Sequence, residues 1–279
     1  MWHSEFYRLL RSDDPKDTVT AYALKERHLP SRIFKYRTFN AYALENLRQS
    51  RLWMSPPADF NDPFDSSISV DLEPSLLAEL TKTADSPEIV SEHDIIARAA
   101  QLTRELSTDL SGSHQNALKV CSFTTSSASL VMWAHYADYH RGFCLEYDVA
   151  TLSANHRRLL FPVSYADDRF SLTEHFMQFS APGATHDPNS PFAQHLPALA
   201  AVRKSPHWEY ESEWRILVVD GNRPGGRLLP MPTPVGLYAG ARIHADALTV
   251  LRSIASERSI PCFQMKLSST HFALEPAKL

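Results

Sequence analysis

The chain has 279 residues, of which 43% are hydrophobic and 22% charged, a composition that is ordinary for a globular protein. Its net charge of -4 excludes a strongly basic protein that binds nucleic acid through bulk charge, although a local basic groove is compatible with it. No window approaches the length that crosses a bilayer, and the charged start lacks the apolar core of a signal peptide, so we expect a soluble, cytoplasmic protein with no membrane partner.

The chain up to residue 67 predicts a helix, a strand, a second helix and a loop. Residues 17–28 are compatible with a helix, and RIFKYRTF (32–39) alternates and is rich in aromatic residues, which is typical of a strand. AYALENLRQSRLW (41–53) has leucines at helical spacing and follows Asn40, a residue type that favours helix N-caps. SPPADFNDPFDSS (55–67) is rich in proline and aspartate, which indicates a loop.

A helical insertion is predicted at about 73–115, where the chain is acidic and no motif stands out. LKVCSFTTSS (118–127) predicts a strand that enters a turn, and SLVMWAHYADYH (129–140) a short helix. Two further strands are predicted at RGFCLEYD (141–148) and LLFPVSYAD (159–167).

A second insertion, irregular and then helical, is predicted at about 171–204. HWEYESEWRILVV (207–219) predicts a strand that enters the core. The chain then continues with a strand, an amphipathic helix and a closing strand, at residues 236–240, 245–259 and 262–268. Because strands come from both halves and the helical stretches lie between them, we predict a single α+β domain over the whole chain.

The three cysteines, Cys121, Cys144 and Cys262, lie far apart. Their odd number leaves one thiol unpaired under any disulfide scheme, and Cys121 and Cys262 each lie in an apolar, strand-like run. We therefore expect buried free thiols in a reducing compartment.

Several common functional motifs are absent from the sequence. It contains no glycine-rich phosphate loop, no dinucleotide fingerprint, no HExxH and no paired CxxC. The thirteen histidines are scattered, and His135 and His140 are five residues apart across the end of a predicted helix, which is poor geometry for one metal ion. We therefore predict no metal site.

Lys35, Tyr36 and Arg37 form the first candidate cluster, on the early strand. Alternation places Lys35 and Arg37 on one face and Tyr36 on the other. The pattern favours an edge strand with its polar side in water. The alternative is an arginine that a strand holds rigidly and that grips a phosphate through its guanidinium.

FNDPFD (60–65) forms the second cluster, with Asn61, Asp62 and Asp65. These side chains would line a site or close a turn, and turn formation explains the composition without a function.

In the third cluster, Ser122 and Thr124 form a hydroxyl row on the predicted strand. The helix that follows carries Trp133, expected in the core, and then His135 and Tyr136, which suit a planar ring.

Glu211 and Glu213 form the fourth cluster, flanked by aromatic residues. In a strand, residues two apart face the same way, so the two carboxylates are expected to project together and to repel unless one is protonated or paired. Arg215 continues the same row, and a structural salt bridge between Glu213 and Arg215 is the alternative to a catalytic pair. Aromatic surroundings of this kind shift carboxylate pKa values, which favours a functional site.

The order KYR, FNDPFD, SFT, MWAHYADYHRGFCLEYD and KSPHWEYESEWR resembles a widespread bacterial family known as domain-of-unknown-function family 2971. The resemblance runs from about Arg32 to Gly240, and MWAHYA and WEYESEWR are its most specific segments. It implies little about chemistry, although members of that family are associated with phage defence.

The chain also resembles, more distantly, the ADP-ribosyltransferases of the arginine-serine-glutamate class. These have an arginine on an early strand, a Ser-Thr-Ser strand and a Glu-x-Glu before an apolar strand, and Arg37, Ser122 in SFTTS and Glu211-Ser212-Glu213 follow that order. The resemblance implies a mixed, split β core with helical insertions, and NAD as the substrate. SFTTS departs from the Ser-Thr-Ser pattern, and the spacings are longer than in compact toxins.

Carried over by position, the resemblance implies that Arg37 anchors the NAD pyrophosphate, that Ser122 or Thr124 shapes the nicotinamide pocket, and that Glu213 is catalytic. Glu211 becomes the candidate base toward an acceptor. We add to the expected NAD-binding residues Tyr36, His135 and Tyr136. The residues expected to contact the substrate are Asn61, Asp62, Trp208 and Arg215.

The leading prediction is an NAD-consuming enzyme that transfers ADP-ribose to a macromolecule, protein or nucleic acid, or hydrolyses NAD, as a toxin or antiviral effector. One alternative is a nuclease or other hydrolase that uses His135, His140 and the carboxylates of FNDPFD. Another is a binding module without chemistry that recognises a nucleotide or a protein. The sequence predicts neither the acceptor nor the oligomeric state.

Overall fold

A computed structural model of the chain describes residues 2–72, 92–180, 187–221 and 223–279. The helices, in chain order, are α1 (Trp2–Leu10), α2 (Pro15–Arg27), α3 (Ala41–Arg48), α4 (Glu92–Ala117), α5 (Leu130–Tyr136), α6 (Ala154–Leu159), α7 (Thr173–Ser180), α8 (Pro191–Ala201) and α9 (Ala245–Glu257). Short 3₁₀ helices lie at Pro57–Asp59, Val149–Thr151 and Pro206–Glu211.

The strands, in chain order, are β1 (Arg32–Arg37), β2 (Arg51–Met54), β3 (Ile68–Ser69), β4 (Leu118–Thr124), β5 (Phe143–Asp148), β6 (Leu160–Pro162), β7 (Ser164–Tyr165), β8 (Phe170–Ser171), β9 (Arg203–Lys204), β10 (Glu213–Val219), β11 (Arg227–Pro230), β12 (Gly236–Ala239), β13 (Cys262–Leu267) and β14 (Leu274–Lys278). Eight of them form one sheet in the order β14-β13-β12-β5-β1-β4-β10-β6. The β12–β13 pair is parallel and the other pairs are antiparallel. This large mixed sheet with helices around it confirms the predicted α+β class.

Both faces of the sheet are covered. Alternation along β1 sends Ile33 into a core that α3 and α9 cover, and Phe34 and Tyr36 into a second core around Trp133 of α5. A third core lies under α1 and α8, where it includes Leu217 of β10. β1 lies between β5 and β4, so the expectation that it is an edge strand is wrong.

The ends of several elements differ from the sequence predictions. The helix predicted over 41–53 ends at Arg48, because Ser50 adopts a left-handed conformation (φ 50°) and turns the chain into β2. Asn40 caps that helix as predicted, since its side-chain oxygen accepts a hydrogen bond from the Ala43 N–H at 2.8 Å. Strand β13 does not close the fold, because β14 pairs with it. Helix α1 was missed, although Phe6, Leu9 and Leu10 form a buried face at helical spacing.

The two predicted insertions contain helices where the structure describes them. Helix α4 lies in the first, of which residues 73–91 lie outside the described residues. Helices α7 and α8 lie in the second, of which residues 181–186 lie outside them. Strand β9 follows helix α8 directly and contains Lys204, whose ammonium contacts Glu213 of β10.

The prediction that the cysteines are free is confirmed, whereas the predicted burial is confirmed for Cys121 and not for Cys262. All three cysteines are free, with Cys121 and Cys144 buried and Cys262 half-buried. None of the helices in the described part of the chain combines the length and the apolar character that crossing a membrane requires.

Candidate functional site

The central sheet is divided between β1 and β4. These neighbours pair only at Phe34 and Thr124, whereas β1 pairs with β5 over all six of its residues and β4 pairs with β10 over all seven. The ammonium group of Lys35 reaches across the division and donates to the carbonyl oxygen of Ser122 at 2.7 Å. The side chain of Lys35 thus links the two strands where their backbones do not pair.

A cavity of about 160 Å³ opens at this division, and we call it the cleft. Phe34, Phe60, Phe123 and Met132 give it an apolar wall. Its polar wall carries Lys35, Asn61, Tyr136 and several charged side chains of β9 and β10. Its volume suits one ring of a ligand, since sites for whole drug-sized molecules measure about 300–1,000 Å³.

The two glutamates reach the cleft through a turn and not through strand alternation. Residues 206–211 form a 3₁₀ helix that ends at Glu211, and β10 begins at Glu213. Ser212 between them adopts a left-handed conformation, with φ 45° and ψ 52°. The expectation that both glutamates lie on one strand is therefore wrong, yet both carboxylates do reach the same cation.

Five buried charged side chains meet at the cleft, and we call them the charge cluster. Lys204 donates to an oxygen of Glu211 at 2.6 Å and to one of Glu213 at 3.0 Å. Arg215 binds Asp65 and Glu213, each through two nitrogen–oxygen contacts of 2.6 to 2.9 Å. None of the five residues is more than 6% exposed. Three carboxylates face the two cations of the cluster, and the ammonium of Lys35 lines the same cleft, so the ionised groups around the cleft balance in charge.

The surroundings shift the pKa values of Glu211 and Glu213 in opposite directions. Burial and the negative charge of Glu213 raise the pKa of Glu211, and Lys204 offsets part of this rise. Burial acts on Glu213 as well, but the charges of Arg215 and Lys204, with hydrogen bonds from Arg215 and Ser122, hold the pKa of Glu213 well below its ordinary value. Glu213 therefore stays ionised, while Glu211 takes up a proton more readily. Neighbouring carboxylates separated in this way can act as an acid–base group and a fixed anion.

Two tyrosines fix the positions of the glutamates. The hydroxyl of Tyr136 donates to the second carboxylate oxygen of Glu211 at 2.6 Å. Burial and the charge of Glu211 raise the pKa of Tyr136, so this hydroxyl keeps its proton. The hydroxyl of Tyr165 accepts a hydrogen bond from the backbone N–H of Glu213 at 3.0 Å. Glu211 is thus held through both oxygens, by Lys204 and by Tyr136.

The structure brings eight of the twelve predicted site residues together around the cleft. They are Tyr36, Asn61, Ser122, Thr124, Tyr136, Glu211, Glu213 and Arg215. The salt bridge between Glu213 and Arg215, which the sequence offered as an alternative to catalysis, is present, and both side chains line the cleft. Their roles remain predictions.

Arg37, a ninth predicted residue, lies beside the cleft. It lines a polar cavity of about 320 Å³ that shares Lys35, Tyr36 and Tyr136 with the cleft. A ligand longer than one ring can therefore extend from the cleft towards the Arg37 guanidinium.

The other three predicted residues do not line the cleft. The ring of Trp208 lies 4.9 Å from the Lys204 ammonium, so it touches the charge cluster from outside. His135 is exposed, with its ring 6.4 Å from that of Tyr210. Asp62 accepts a hydrogen bond from the backbone N–H two residues on at 2.9 Å, as the turn interpretation of FNDPFD predicts.

Sequence reasoning gave no role to Lys204 and expected Asp65 to close a turn. Asp65 in fact binds the Arg215 guanidinium, 150 positions away along the chain. Charge balance indicated that such residues must exist. An arginine inside an apolar strand and two glutamates two residues apart need buried partners of opposite charge. The sequence does not show which lysine or aspartate supplies them.

The histidines named for a hydrolase do not form a metal site in the described part of the chain. No group of three or more histidine, cysteine, aspartate and glutamate side chains there is arranged to hold a metal ion. His140 stacks on Trp133, with ring centroids 6.3 Å apart, and Asp65 is engaged with Arg215.

Comparison with known proteins gives one match. Residues 132–216 match the model of a family described as a protein of unknown function (DUF2971). The matched span contains the MWAHYA segment and both glutamates, but not Arg37, Asp65 or Ser122. No curated protein and no solved structure matches the chain.

Proposed function

We propose that the chain is an NAD-consuming enzyme of the ADP-ribosyltransferase kind, which cleaves the bond between nicotinamide and ribose. The observation that carries the proposal is the glutamate pair, one carboxylate held ionised and the other inclined to take a proton, beside an aromatic cleft at a division in the sheet. Cleavage of a glycosidic bond through a cationic transition state commonly uses two carboxylates in these two states.

The shape of the cavities supports NAD as the substrate. The cleft accepts one planar ring between apolar side chains, and Asn61 there offers amide groups that can pair with a carboxamide. The adjoining cavity with Arg37 suits the negatively charged diphosphate, which a guanidinium binds through two parallel hydrogen bonds. In this arrangement the nicotinamide ring lies in the cleft and the diphosphate lies beside it.

The charge cluster supports a cationic substrate and transition state. The ionised carboxylate of Glu213 lies at the cleft, and the nicotinamide ring of NAD is a cation. As the glycosidic bond breaks, nicotinamide leaves with the bonding electron pair, and the positive charge passes to the ribose. The ionised carboxylate of Glu213 stabilises that charge electrostatically. A nucleophile then bonds to the ribose carbon, and its proton passes to Glu211.

The nucleophile decides between transferase and hydrolase. Water gives free ADP-ribose, and a group on a protein or nucleic acid gives a modified macromolecule. Modification of a macromolecule of the cell or of an invading phage fits a toxin or antiviral effector, which we include in the proposal.

A second candidate is a binding module without chemistry. Glu213 already makes contacts with both Arg215 and Lys204, and a purely structural ion cluster has this arrangement. In that case NAD or a related nucleotide stabilises the protein against unfolding but is never converted.

The test is incubation of the purified protein with NAD labelled in the nicotinamide ring, with and without cell lysate. We expect free nicotinamide from the wild type, and a loss of about 100-fold or more in rate for Glu213→Gln, as for removal of other electrostatic catalytic groups. Glu209→Gln changes an exposed carboxylate of the same 3₁₀ helix and should keep the wild-type rate.

Folding of the variants must be measured alongside activity, because Glu213 is a buried ion-pair partner. Glu211→Gln is the second variant, since the amide keeps the shape of the carboxylate but cannot accept the proton of the nucleophile, and it should lower the rate at a near-normal melting temperature. Unchanged nicotinamide release in a folded Glu213→Gln protein would contradict the proposal.

A further inference from the structure

A second cavity lies against the charge cluster and shares only Lys204 with the cleft. It measures about 290 Å³, and we call it the outer cavity. Lys204 and Arg203 of β9, Arg169 and Phe64 are among its lining residues. Lys204 is the residue that holds both glutamates, so whatever fills the outer cavity lies next to the proposed catalytic pair without entering the cleft.

The arginines of the outer cavity make no close ion pair in the described part of the chain, although Asp167 and Asp168 line the same cavity. The Nε–H of Arg203 donates to the carbonyl oxygen of Asp168 at 2.8 Å, and its terminal nitrogens make no ion pair there. Burial and the positive charge of Arg11 lower the pKa of Arg203, and Asp168 offsets part of this. Arg169 is exposed and likewise makes no ion pair among the described residues. A bound anion would relieve this crowding of positive charge.

The row of arginines continues beyond the outer cavity. Arg169 also lines the next cavity, of about 420 Å³, together with Arg104 of α4. Four cations, Lys204, Arg203, Arg169 and Arg104, therefore border two cavities that meet at Arg169. We call these two cavities the arginine groove.

Two other side chains of the outer cavity suit a nucleotide. Phe64 is 63% exposed, so its ring is accessible to a ligand at this cavity. An exposed aromatic ring beside cations is a stacking platform for an unpaired base. Ser67 is 5% exposed and its hydroxyl makes no hydrogen bond within the described protein, so a donor or acceptor is unused at this cavity.

Asp167 and Asp168 also border the outer cavity, and Asp71 borders the next one. The charge of Lys204 is already balanced within the charge cluster, so three arginines face three aspartates along the groove, and the net charge of the chain is -4. Binding of an anion there must rest on direct guanidinium contacts with individual phosphates, and such contacts weaken as salt concentration rises.

We infer that the arginine groove binds a single-stranded nucleic acid, with phosphates on Arg203 and Arg169 and an unpaired base on Phe64. The inference of a binding site rests only on these features of the groove and does not require the proposed function. Its role as the site of the ADP-ribose acceptor rests on the proposed function, because the groove leads to Lys204 and hence to Glu211 and Glu213. A duplex is disfavoured, because its bases are already stacked and do not offer a face to Phe64.

The test is fluorescence anisotropy with labelled 12-nucleotide single-stranded DNA and RNA of one sequence, and the matching DNA duplex, without NAD. We expect the wild type to bind a single strand more tightly than the duplex, with an affinity that falls as salt rises. The double variant Arg203→Ala, Arg169→Ala should bind at least 10-fold more weakly. Its slope of log affinity against log salt should be smaller by about 0.7 for each phosphate that the variant no longer binds.

Arg252→Ala is the control, because it removes an arginine charge from an exposed position of α9 that does not line the groove, one charge against the two of the double variant. Arg203→Lys keeps the charge and should retain part of the affinity, and melting temperatures identify any variant that unfolds. Absence of binding by the wild type at 50 mM salt, or equal affinities of the double variant and Arg252→Ala, would overturn the groove. The DNA and RNA arms decide which strand it takes.

Failure of nucleic-acid binding can be told apart from failure of the proposed NAD reaction, since the binding assay contains no NAD. A protein that binds single strands through these arginines and never releases nicotinamide supports the groove and overturns the NAD reaction. A protein that consumes NAD and transfers label only to protein, with no affinity for single strands, overturns the groove and leaves the NAD reaction in place.

Discussion

Lys204 is the side chain on which the charge cluster depends most. Its ammonium lies within 4 Å of three carboxylates, Asp65, Glu211 and Glu213, and it is 6% exposed. Burial would lower the pKa of Lys204, but the carboxylates, Glu213 first, raise it, so the lysine stays charged. Without it, Arg215 alone would face three buried carboxylates.

The Lys204→Met substitution should therefore destabilise the protein. Methionine fills a similar volume but leaves buried carboxylates uncompensated, and loss of one partner of a buried ion pair costs about 3–5 kcal/mol of unfolding free energy. Urea denaturation at pH 7 measures the loss. Lys16→Met, at an exposed position of α2, should change the unfolding free energy by less than about 0.5 kcal/mol.

The loss of unfolding free energy that Lys204→Met causes should become smaller as the pH falls. Removal of the cation raises the folded-state pKa of Glu211 further above its unfolded value, so the folded variant binds more protons than the unfolded one and gains stability as protons are added. A deficit below about 1 kcal/mol at pH 7, or one that grows between pH 7 and pH 5, would contradict the description of the cluster.

At the scale of elements, the turn at Ser212 joins a 3₁₀ helix to β10 and sets the directions of the two glutamates. The sequence predicted the strand and singled out both carboxylates as candidates. Alternation placed both glutamates on one strand and could not reveal the turn, since a serine with a positive φ has no clear signature in a single sequence. Glycine is the residue type that usually marks such a position.

Substitutions at Ser212 test this turn. A β-branched side chain is strained in the left-handed region, so Ser212→Val should lower the unfolding free energy by about 1–3 kcal/mol. Ser212→Gly accepts the conformation but gains freedom in the unfolded chain, and it should stay within about 1 kcal/mol of the wild type. Thermal or urea unfolding of both variants measures the difference. Equal stabilities of the two variants would mean that the left-handed turn is not held in the folded protein.

At the scale of the whole molecule, the divided sheet is the feature that creates the site. Local patterns predicted seven of the eight strands of the large sheet, because alternation and aromatic content act over a few residues, but they missed β14 and the short strands β2, β3, β8, β9 and β11. Local patterns could not predict the order in which the strands pair. The aromatic and polar residues of RIFKYRTF indicated an edge strand, whereas β1 lies inside the sheet and pairs with β4 at a single residue pair.

The candidate site was predicted in part for the same reason. Glu211, Glu213, Ser122 and Tyr136 came from short motifs, and they meet at the cleft. Asp65 joins them from another part of the chain, and its partner is fixed only by the three-dimensional fold. Charge balance in a buried site depends on the whole molecule, so a single sequence shows the need for partners but not their positions.

The central claim is that the cleft at the divided sheet holds the nicotinamide end of NAD. A crystal structure of the Glu213→Gln variant with NAD tests it most directly, provided that the variant folds; Glu211→Gln is used if it does not. We expect the nicotinamide ring between Phe34 and Phe123, with the diphosphate towards Arg37. NAD bound elsewhere on the protein with an empty cleft, or a nicotinamide ring in the arginine groove, would contradict it.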